Sequence, residues 1–172
     1  MKPVLLLTMV LLWNGVQARD TIPVFNKEIR STDIVLGIHW QGNARENITY
    51  RYYEIGVGKG RYIHHRHGVT GGAIYISEEI YLGQDRTIFG TKLGVFWHWL
   101  FDAGLSMVYY TDLERGNFKV RPELGVGMGR ARAVLGFNIP TIANKRFEDL
   151  RRNIFQISLQ ATIGVFKKTK RL

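Results

Sequence analysis

The chain has no cysteine among its 172 residues, and after the first eighteen it has no apolar run of the length that a membrane-spanning helix requires. Such a helix needs about 20 consecutive apolar residues. Small exported domains usually depend on disulfides, and this chain can form none. No helical period competes with the strand patterns of the chain. The composition therefore favours an exported domain without a helical anchor, stabilised by closure of a β-sheet.

The first eighteen residues have the pattern of a secretory signal peptide. A basic start at Lys2 precedes an apolar run over residues 3–13, and small residues at Val16 and Ala18 come just before the expected cleavage site. The run is too short to span a bilayer, and with no cysteine after it the leader cannot be a lipoprotein signal. The alternative is a buried N-terminal strand or helix. We expect export, with residues 19–30 as a lead-in to the folded domain.

The formal net charge is +10. Charge of this sign can indicate nucleic-acid binding, but the basic residues are spread over turns, one strand face and a tail at residues 167–172. In an exported chain, a basic tail beside a membrane favours anionic lipid head groups. We therefore expect outer-membrane lipid as a partner and no nucleic acid. No sequence feature identifies a cofactor, a ligand or a specific protein partner.

Residues 86–129 alternate in character at every other position. In the stretch from Thr87 to Trp99, the first of the two faces carries Phe89, Leu93, Val95, Trp97 and Trp99, and the second carries Gly90, Lys92, Gly94 and His98. Successive strand residues point to opposite faces, so this period of two predicts sheet strands with one apolar face and one polar or small face.

Eight segments share this pattern. They span residues 32–42, 47–59, 70–83, 86–100, 102–112, 117–128, 130–139 and 152–166. The gaps are too short for parallel crossovers, so the pairing should be antiparallel. Eight strands suit a closed barrel whose interior is just filled by side chains. The predicted fold class is thus all-β, a closed antiparallel up-and-down β-barrel of the transmembrane type over residues 31–166.

The placement of glycine predicts which face points inward. Mid-strand glycines fall in the polar register, where a crowded interior needs positions without a side chain. Charged residues share that register and are expected to form a paired network that fills the lumen; they are Glu54, Glu79, Lys92, Lys119, Arg121, Glu123, Arg130 and Arg132. The alternative is a gated pore or proton path. A soluble lipocalin-like binder would invert the pattern, with apolar residues inside.

Aromatic residues cluster near both ends of the apolar face. The expected girdle residues are Trp40, Trp97, Trp99, Phe101, Tyr109, Phe118, Phe137, Phe155 and Phe166. Two aromatic girdles around an aliphatic band are typical of outer-membrane barrels. Glu78 and Pro122 depart from the pattern, because a carboxylate would face lipid and a proline would remove a ladder donor. A β-bulge at each position would explain both.

Two clusters could carry chemistry. His64-His65-Arg66-His67 contains metal-binding residue types, but it falls in a predicted loop at 60–68, so we expect solvated turn residues and no metal site. Some small outer-membrane barrels are lipid acyl hydrolases. His98, Ser106 and Glu123 share one register on adjacent strands, yet the usual close histidine–serine pairing is missing. We expect no catalytic residues.

Several motifs carry a resemblance over residues 75–165. They are Gly90-Thr91-Lys92-Leu93-Gly94, the run from Gly104 to Asp112, Arg121-Pro122-Glu123-Leu124-Gly125-Val126-Gly127 and Gly136-Phe137-Asn138. In these the chain resembles small, uncharacterised outer-membrane β-barrel proteins of Bacteroidetes-type bacteria. The resemblance implies a barrel in the outer membrane and no established activity. One departure is that Phe166 is followed by six residues, whereas such barrels commonly end on an aromatic residue.

Overall fold

A computed structural model describes residues 27–43, 48–65, 68–83, 86–128, 130–143 and 154–171. The predicted signal peptide therefore lies outside the described residues. So do Arg66 and His67 of the histidine cluster, and residues 144–151 between the last two predicted strands.

The described chain consists of β-strands joined by short connections. The strands are β1 Lys27–Asn43, β2 Ile48–His65, β3 Gly68–Leu82, β4 Thr87–His98, β5 Asp102–Thr111, β6 Gly116–Met128, β7 Ala131–Phe137, β8 Ile139–Ala143 and β9 Phe155–Arg171. Every pairing between them is antiparallel. Within these ranges no helix is long and apolar enough to cross a membrane. The predicted all-β, antiparallel, up-and-down class is confirmed.

The sheet closes on itself. Its strand order is β5-β4-β3-β2-β1-β9-β7-β6-β8, and a further β5–β6 pairing joins the two halves. One circuit passes through eight strands, because β8 continues the path of β7 along β6. Following paired residues around the ring from Ser31 returns to β1 at Gln41, ten positions further on. This stagger means that the strands are inclined to the ring axis.

Three strands extend five or more residues beyond their predicted bounds. β1 begins at Lys27, inside the predicted lead-in, and β9 runs to Arg171, through the predicted tail. The prediction of a loop over residues 60–68 is wrong, because β2 continues to His65. Lys27 pairs with both His64 and Arg171. These ends lack apolar alternation because their pairing is made by the backbone, which does not depend on side-chain polarity.

The two faces of the sheet differ as predicted. On β4, Lys92 and Phe96 are buried in the interior while Val95 and Trp97 are exposed on the outside. The interior is not purely polar, however. Two apolar clusters lie on either side of its charged centre, one formed by Tyr50, Tyr52, Ile88, Val108 and Tyr110, the other by Val35, Ala73, Tyr75 and Phe96. The interior is therefore filled by aromatic and aliphatic groups as well as by charges.

The bulges predicted at Glu78 and Pro122 are not present. β3 keeps one register with both neighbours, so Glu78 does face outward, where it accepts a hydrogen bond from Thr91 Oγ1 at 2.9 Å. Pro122 pairs regularly with Leu105 of β5. On its other side, the pairing of β6 with β8 stops at Val120 and that with β7 starts at Glu123. The proline thus lies where the neighbouring strand is interrupted.

Glycine at two interior positions makes room for tyrosine rings. A Cβ at Gly94 would meet the ring of Tyr75, and one at Gly90 would meet the ring of Tyr110. Side chains on neighbouring strands cannot overlap in a closed interior, so a large residue requires a small one beside it. This spacing is the physical reason why glycine follows the interior register.

Substituting Gly94 with alanine tests this packing. The added methyl group would press on Tyr75, and overpacking of this kind costs about 1–3 kcal/mol of the free energy of unfolding. Gly42→Ala is the matched control, because a Cβ there meets no atom within 4 Å. Urea unfolding followed by tryptophan fluorescence should show a loss for Gly94→Ala and none for Gly42→Ala. Equal effects at both positions would contradict the packing argument.

Candidate functional site: an ionic network inside the closed sheet

Seven of the eight residues predicted to form a lumen network are buried in the interior, namely Glu54, Glu79, Lys92, Lys119, Arg121, Glu123 and Arg132. Lys92 is at the centre. Its Nζ lies 3.4 Å from Glu54 Oε1, 3.5 Å from Glu79 Oε1 and 3.3 Å from Glu123 Oε1. β3 and β4 pair so that Lys92 has Ser77 opposite it. One ammonium group therefore lies close to carboxylates from three strands.

Glu79 receives the densest set of contacts. Arg121 donates from Nη1 to Glu79 Oε1 at 2.6 Å and from Nη2 to Oε2 at 3.3 Å, a two-point contact. The Tyr110 hydroxyl donates to the same carboxylate, and Arg121 Nε donates to Asn138 Oδ1 at 2.8 Å. Charge-assisted, bidentate pairs of this type are strong and directional. They connect β3 to β5, β6 and the link between β7 and β8.

Glu54 joins the network to β1 and β9. Its Oε2 lies 2.8 Å from His39 Nε2 and accepts from Gln160 Nε2 at 2.6 Å, while Ser77 Oγ donates to Oε1. His39 Nδ1 in turn lies 2.7 Å from Ser158 Oγ. These contacts run across the junction at which the last strand pairs with the first, so they help to fix the closure of the sheet.

Glu123 completes the set of three carboxylates. It accepts from Ser106 Oγ at 2.9 Å and from Arg132 Nη2 at 2.9 Å. Arg132 also donates from Nε to Gln160 Oε1 at 2.6 Å, and its guanidinium carbon lies 4.1 Å from the centre of the Phe96 ring. A cation over an aromatic face is stabilised by the ring quadrupole. The second apolar cluster therefore contacts the network directly.

The two remaining predicted residues are placed differently. Lys119 is fully buried, with its Nζ 5.4 Å from the centre of the Tyr110 ring. Arg130 is only half-buried, and its carbonyl oxygen accepts a hydrogen bond from Thr162 N at 2.7 Å. Among the described residues, the ion pairs of the network do not include Arg130. Lys119 and Arg130, both predicted in the interior register, thus lie at different depths.

We use the name ionic network for Glu54, Glu79, Lys92, Arg121, Glu123 and Arg132. It holds three carboxylates and three cations, so its formal charges cancel. Burial of an unpaired charge would cost several kcal/mol, about 3–5 kcal/mol when one partner of a buried pair is removed. Balanced and hydrogen-bonded charges can be held in a dry interior. The arrangement fills the ring and fixes which strands are opposite one another.

The polar partners of these charged residues were not included in the predicted network, although they share its register. They are His39, Gln41, Ser77, Tyr110, Asn138, Gln156, Ser158 and Gln160. Gln41 Nε2, for example, donates to Gln156 Oε1 at 2.9 Å across 115 positions of the chain. The alternation alone could have placed them in the interior, because each lies an even number of residues from a predicted interior position on its own strand.

Three buried residues offer donor atoms of metal-binding type. His39, Glu54 and Glu79 place one such atom each within 4.8 Å of one another. Lys92 Nζ lies within 3.5 Å of both carboxylates. The ammonium group therefore already supplies positive charge where a cation would sit, and the arrangement fits an ion-paired lysine better than a metal.

The residues considered for hydrolysis are not assembled into a triad. Ser106 donates to Glu123, while His98 Nδ1 lies 2.9 Å from Asp102 Oδ1. His98 pairs with Asp102 across β4 and β5, four residues along β5 from Ser106, which is about 13 Å at about 3.4 Å per residue. Among the described contacts, none joins His98 to Ser106. The described geometry therefore gives Ser106 no histidine base.

The predicted girdle residues lie on the outward face. Trp97, Trp99, Phe101 and Phe166 are exposed toward the end at which β1 begins. Near the other end, Tyr109 is opposite Phe118, and the rings of Phe137 and Phe155 pack edge to face with centroids 5.5 Å apart. Trp40 is half-buried beside Arg51. The outward aromatic residues are thus grouped toward the two ends of the apolar face.

Comparisons with protein-family models, with curated proteins and with solved structures give no match to this chain. The resemblance to outer-membrane proteins of Bacteroidetes-type bacteria therefore stays a prediction.

Proposed function

We propose that the chain is a non-enzymatic outer-membrane β-barrel protein of the cell envelope, with a lumen filled by side chains. The observation that carries this proposal is the inversion of polarity across the sheet. Ile55, Val57, Ile74 and Val95 on the outward face are each more than half exposed, while Glu79, Lys92 and Arg121 in the interior have no exposed surface. In water such an outward face would be unfavourable over its whole extent, whereas acyl chains would cover it.

The height of the apolar face supports the same proposal. On β9 the outward residues from Phe155 to Val165 are all apolar, and Ala161 is the smallest of them. Ten residue steps at about 3.3 Å each, with a tilt near 40°, span about 25 Å. The apolar band of outer-membrane barrels is about 25 Å tall. On β2 the band is bounded by Arg51 and Lys59, whose long side chains can reach the interface.

The filled interior bears on the role of such a barrel. A water-filled channel needs an open lumen, and here three ion-paired carboxylates and two apolar clusters occupy it. A role as an envelope component, structural or adhesive through the extracellular loops, requires no passage through the lumen. We therefore favour this role over conduction, with localisation in the outer membrane after cleavage of the signal peptide.

Two observations on cells and in detergent test the proposal. The mature chain should appear in the outer-membrane fraction, and the folded protein should migrate faster in an unheated detergent gel than after boiling, because a closed sheet resists unfolding by detergent. A chain recovered from the soluble fraction as a monodisperse monomer without detergent, with the same mobility before and after heating, would overturn it. Such a result would favour a secreted binding protein.

A further inference from the structure

Three cations lie directly opposite one another where the sheet extends beyond its apolar face. Arg30 of β1 pairs with Arg61 of β2 on one side and with Lys168 of β9 on the other. Directly opposite residues on neighbouring strands share a face, with Cβ atoms about 4.5–5.5 Å apart, and like charges in this arrangement are destabilising. The side chains of Arg30 and Arg61 are 67% and 62% exposed. A row of this kind needs negative charge beside it.

The described residues supply only part of that charge. Glu28 accepts from Arg30 Nε at 2.7 Å and from Arg61 Nη2 at 3.1 Å. The hydrogen bond from Arg30 has the largest effect and that from Arg61 the next, and both lower the pKa of Glu28 from its ordinary value. Lys170 is opposite Glu28, and Lys59 is opposite Thr32 on the same face. We call Arg30, Lys59, Arg61, Lys168 and Lys170 the basic rim. Its five cations face one carboxylate in this part of the described sheet.

The basic rim is continuous with the apolar face. Thr32 separates Arg30 from Ile34 on the outward side of β1, and it pairs with the exposed Phe166 of β9. A shift of register at Thr32/Asp33 leaves both Val165 and Phe166 exposed. On β1 and β9, the cations Arg30 and Lys168 therefore form the next outward pair beyond Thr32 and Phe166. This is the level at which lipid phosphates lie if the apolar face is covered by acyl chains.

We propose that Arg30, Arg61 and Lys168 bind the phosphate group of an anionic membrane lipid whose acyl chains lie against Phe166 and Val165. The inference rests on the proposed membrane location. Guanidinium groups suit a phosphate because they present paired N–H donors. The adjoining apolar surface selects a lipid phosphate over a free anion, since only the lipid contacts both surfaces.

Reconstitution into vesicles of defined composition tests this site. The folded protein would be placed in phosphatidylcholine vesicles with and without phosphatidylglycerol, and the co-purifying lipid would be counted by mass spectrometry after detergent extraction. Phosphatidylglycerol should be enriched around the protein. Since each cation near the surface contributes about a fivefold change in affinity, Arg30→Gln should lower the enrichment about fivefold, and Arg30→Gln with Lys168→Gln about twenty-fivefold.

Arg51→Gln is the matched control, because Arg51 is exposed on the outward side of β2 at the opposite end of the apolar face. It should leave the enrichment unchanged, and the heat-dependent gel shift should verify that each variant is folded. Equal enrichment for the unchanged protein and Arg30→Gln would overturn the site, as would an equal loss with Arg51→Gln. Full displacement of the lipid by 10 mM inorganic phosphate would assign the site to free anions and also overturn it. Failure to insert into either vesicle would instead refute the membrane location.

Discussion

Replacing Glu79 with alanine is expected to lower the free energy of unfolding by about 3–5 kcal/mol, because removal of one partner from a buried ion pair leaves the other charge without compensation. Arg121 would lose its two-point contact, and the Tyr110 hydroxyl would lose its acceptor. Lys92 would keep two of its three carboxylates. Urea unfolding in detergent micelles, followed by the fluorescence of Trp40, Trp97 and Trp99, measures this loss.

The adjacent carboxylate provides the control. Glu78 points outward and its described contact is the hydrogen bond from Thr91, so Glu78→Ala should not lower the free energy of unfolding, because it removes a carboxylate from the face proposed to meet lipid. A second variant, Glu79→Ala with Arg121→Met, should lose less than Glu79→Ala alone, because both charges are then removed together. Equal losses for Glu78→Ala and Glu79→Ala would show that the buried network does not determine stability.

Much of the fold could be predicted from alternation, and the part that could not has a physical reason. Apart from Thr91 and Phe96, apolar residues alternate with polar or small ones on β4 from Phe89 to His98, because one face contacts the interior and the other does not. Over residues 167–170 of β9 successive side chains are all exposed, so the backbone pairing there leaves no alternating pattern in the sequence. The interruption between β7 and β8 at Asn138 likewise depends on the neighbouring strands.

The charged residues of the site could be predicted from the sequence, but the contacts between its side chains could not. Register alone places Glu54 and Lys92 in the interior. It does not show that His39 reaches Ser158, 119 positions away, because that contact requires the closure of β9 on β1 and the ten-residue stagger of the ring. Arg130 differs from Arg132 in burial because Arg130 precedes β7, whereas Arg132 lies within it. Sequence alternation gives the face of each side chain, whereas its partners follow from how the ring closes.

Placing an arginine in the middle of the outward face should be the second large effect. Val95 is 51% exposed, and its cross-strand neighbours Ile74 and Leu105 are apolar. If acyl chains cover this position, Val95→Arg should cost about 2–4 kcal/mol, the range for arginine near the bilayer midplane. If water covers it, the change should stay within about 0.5 kcal/mol, as at other exposed surface positions.

The same substitution at the edge of the sheet, Thr49→Arg, distinguishes an effect of depth in the bilayer from a general effect of arginine. Thr49 is exposed on β2 at the end of the apolar face, two residues from Arg51, and near the interface an arginine costs about 0–1 kcal/mol.

The most direct measurement of the lipid-facing arrangement is therefore the free energy of unfolding of both variants in phospholipid vesicles. A loss of about 2–4 kcal/mol for Val95→Arg with less than about 1 kcal/mol for Thr49→Arg is the predicted result. Losses below about 0.5 kcal/mol at both positions, in a protein that stays folded in water without lipid, would contradict it.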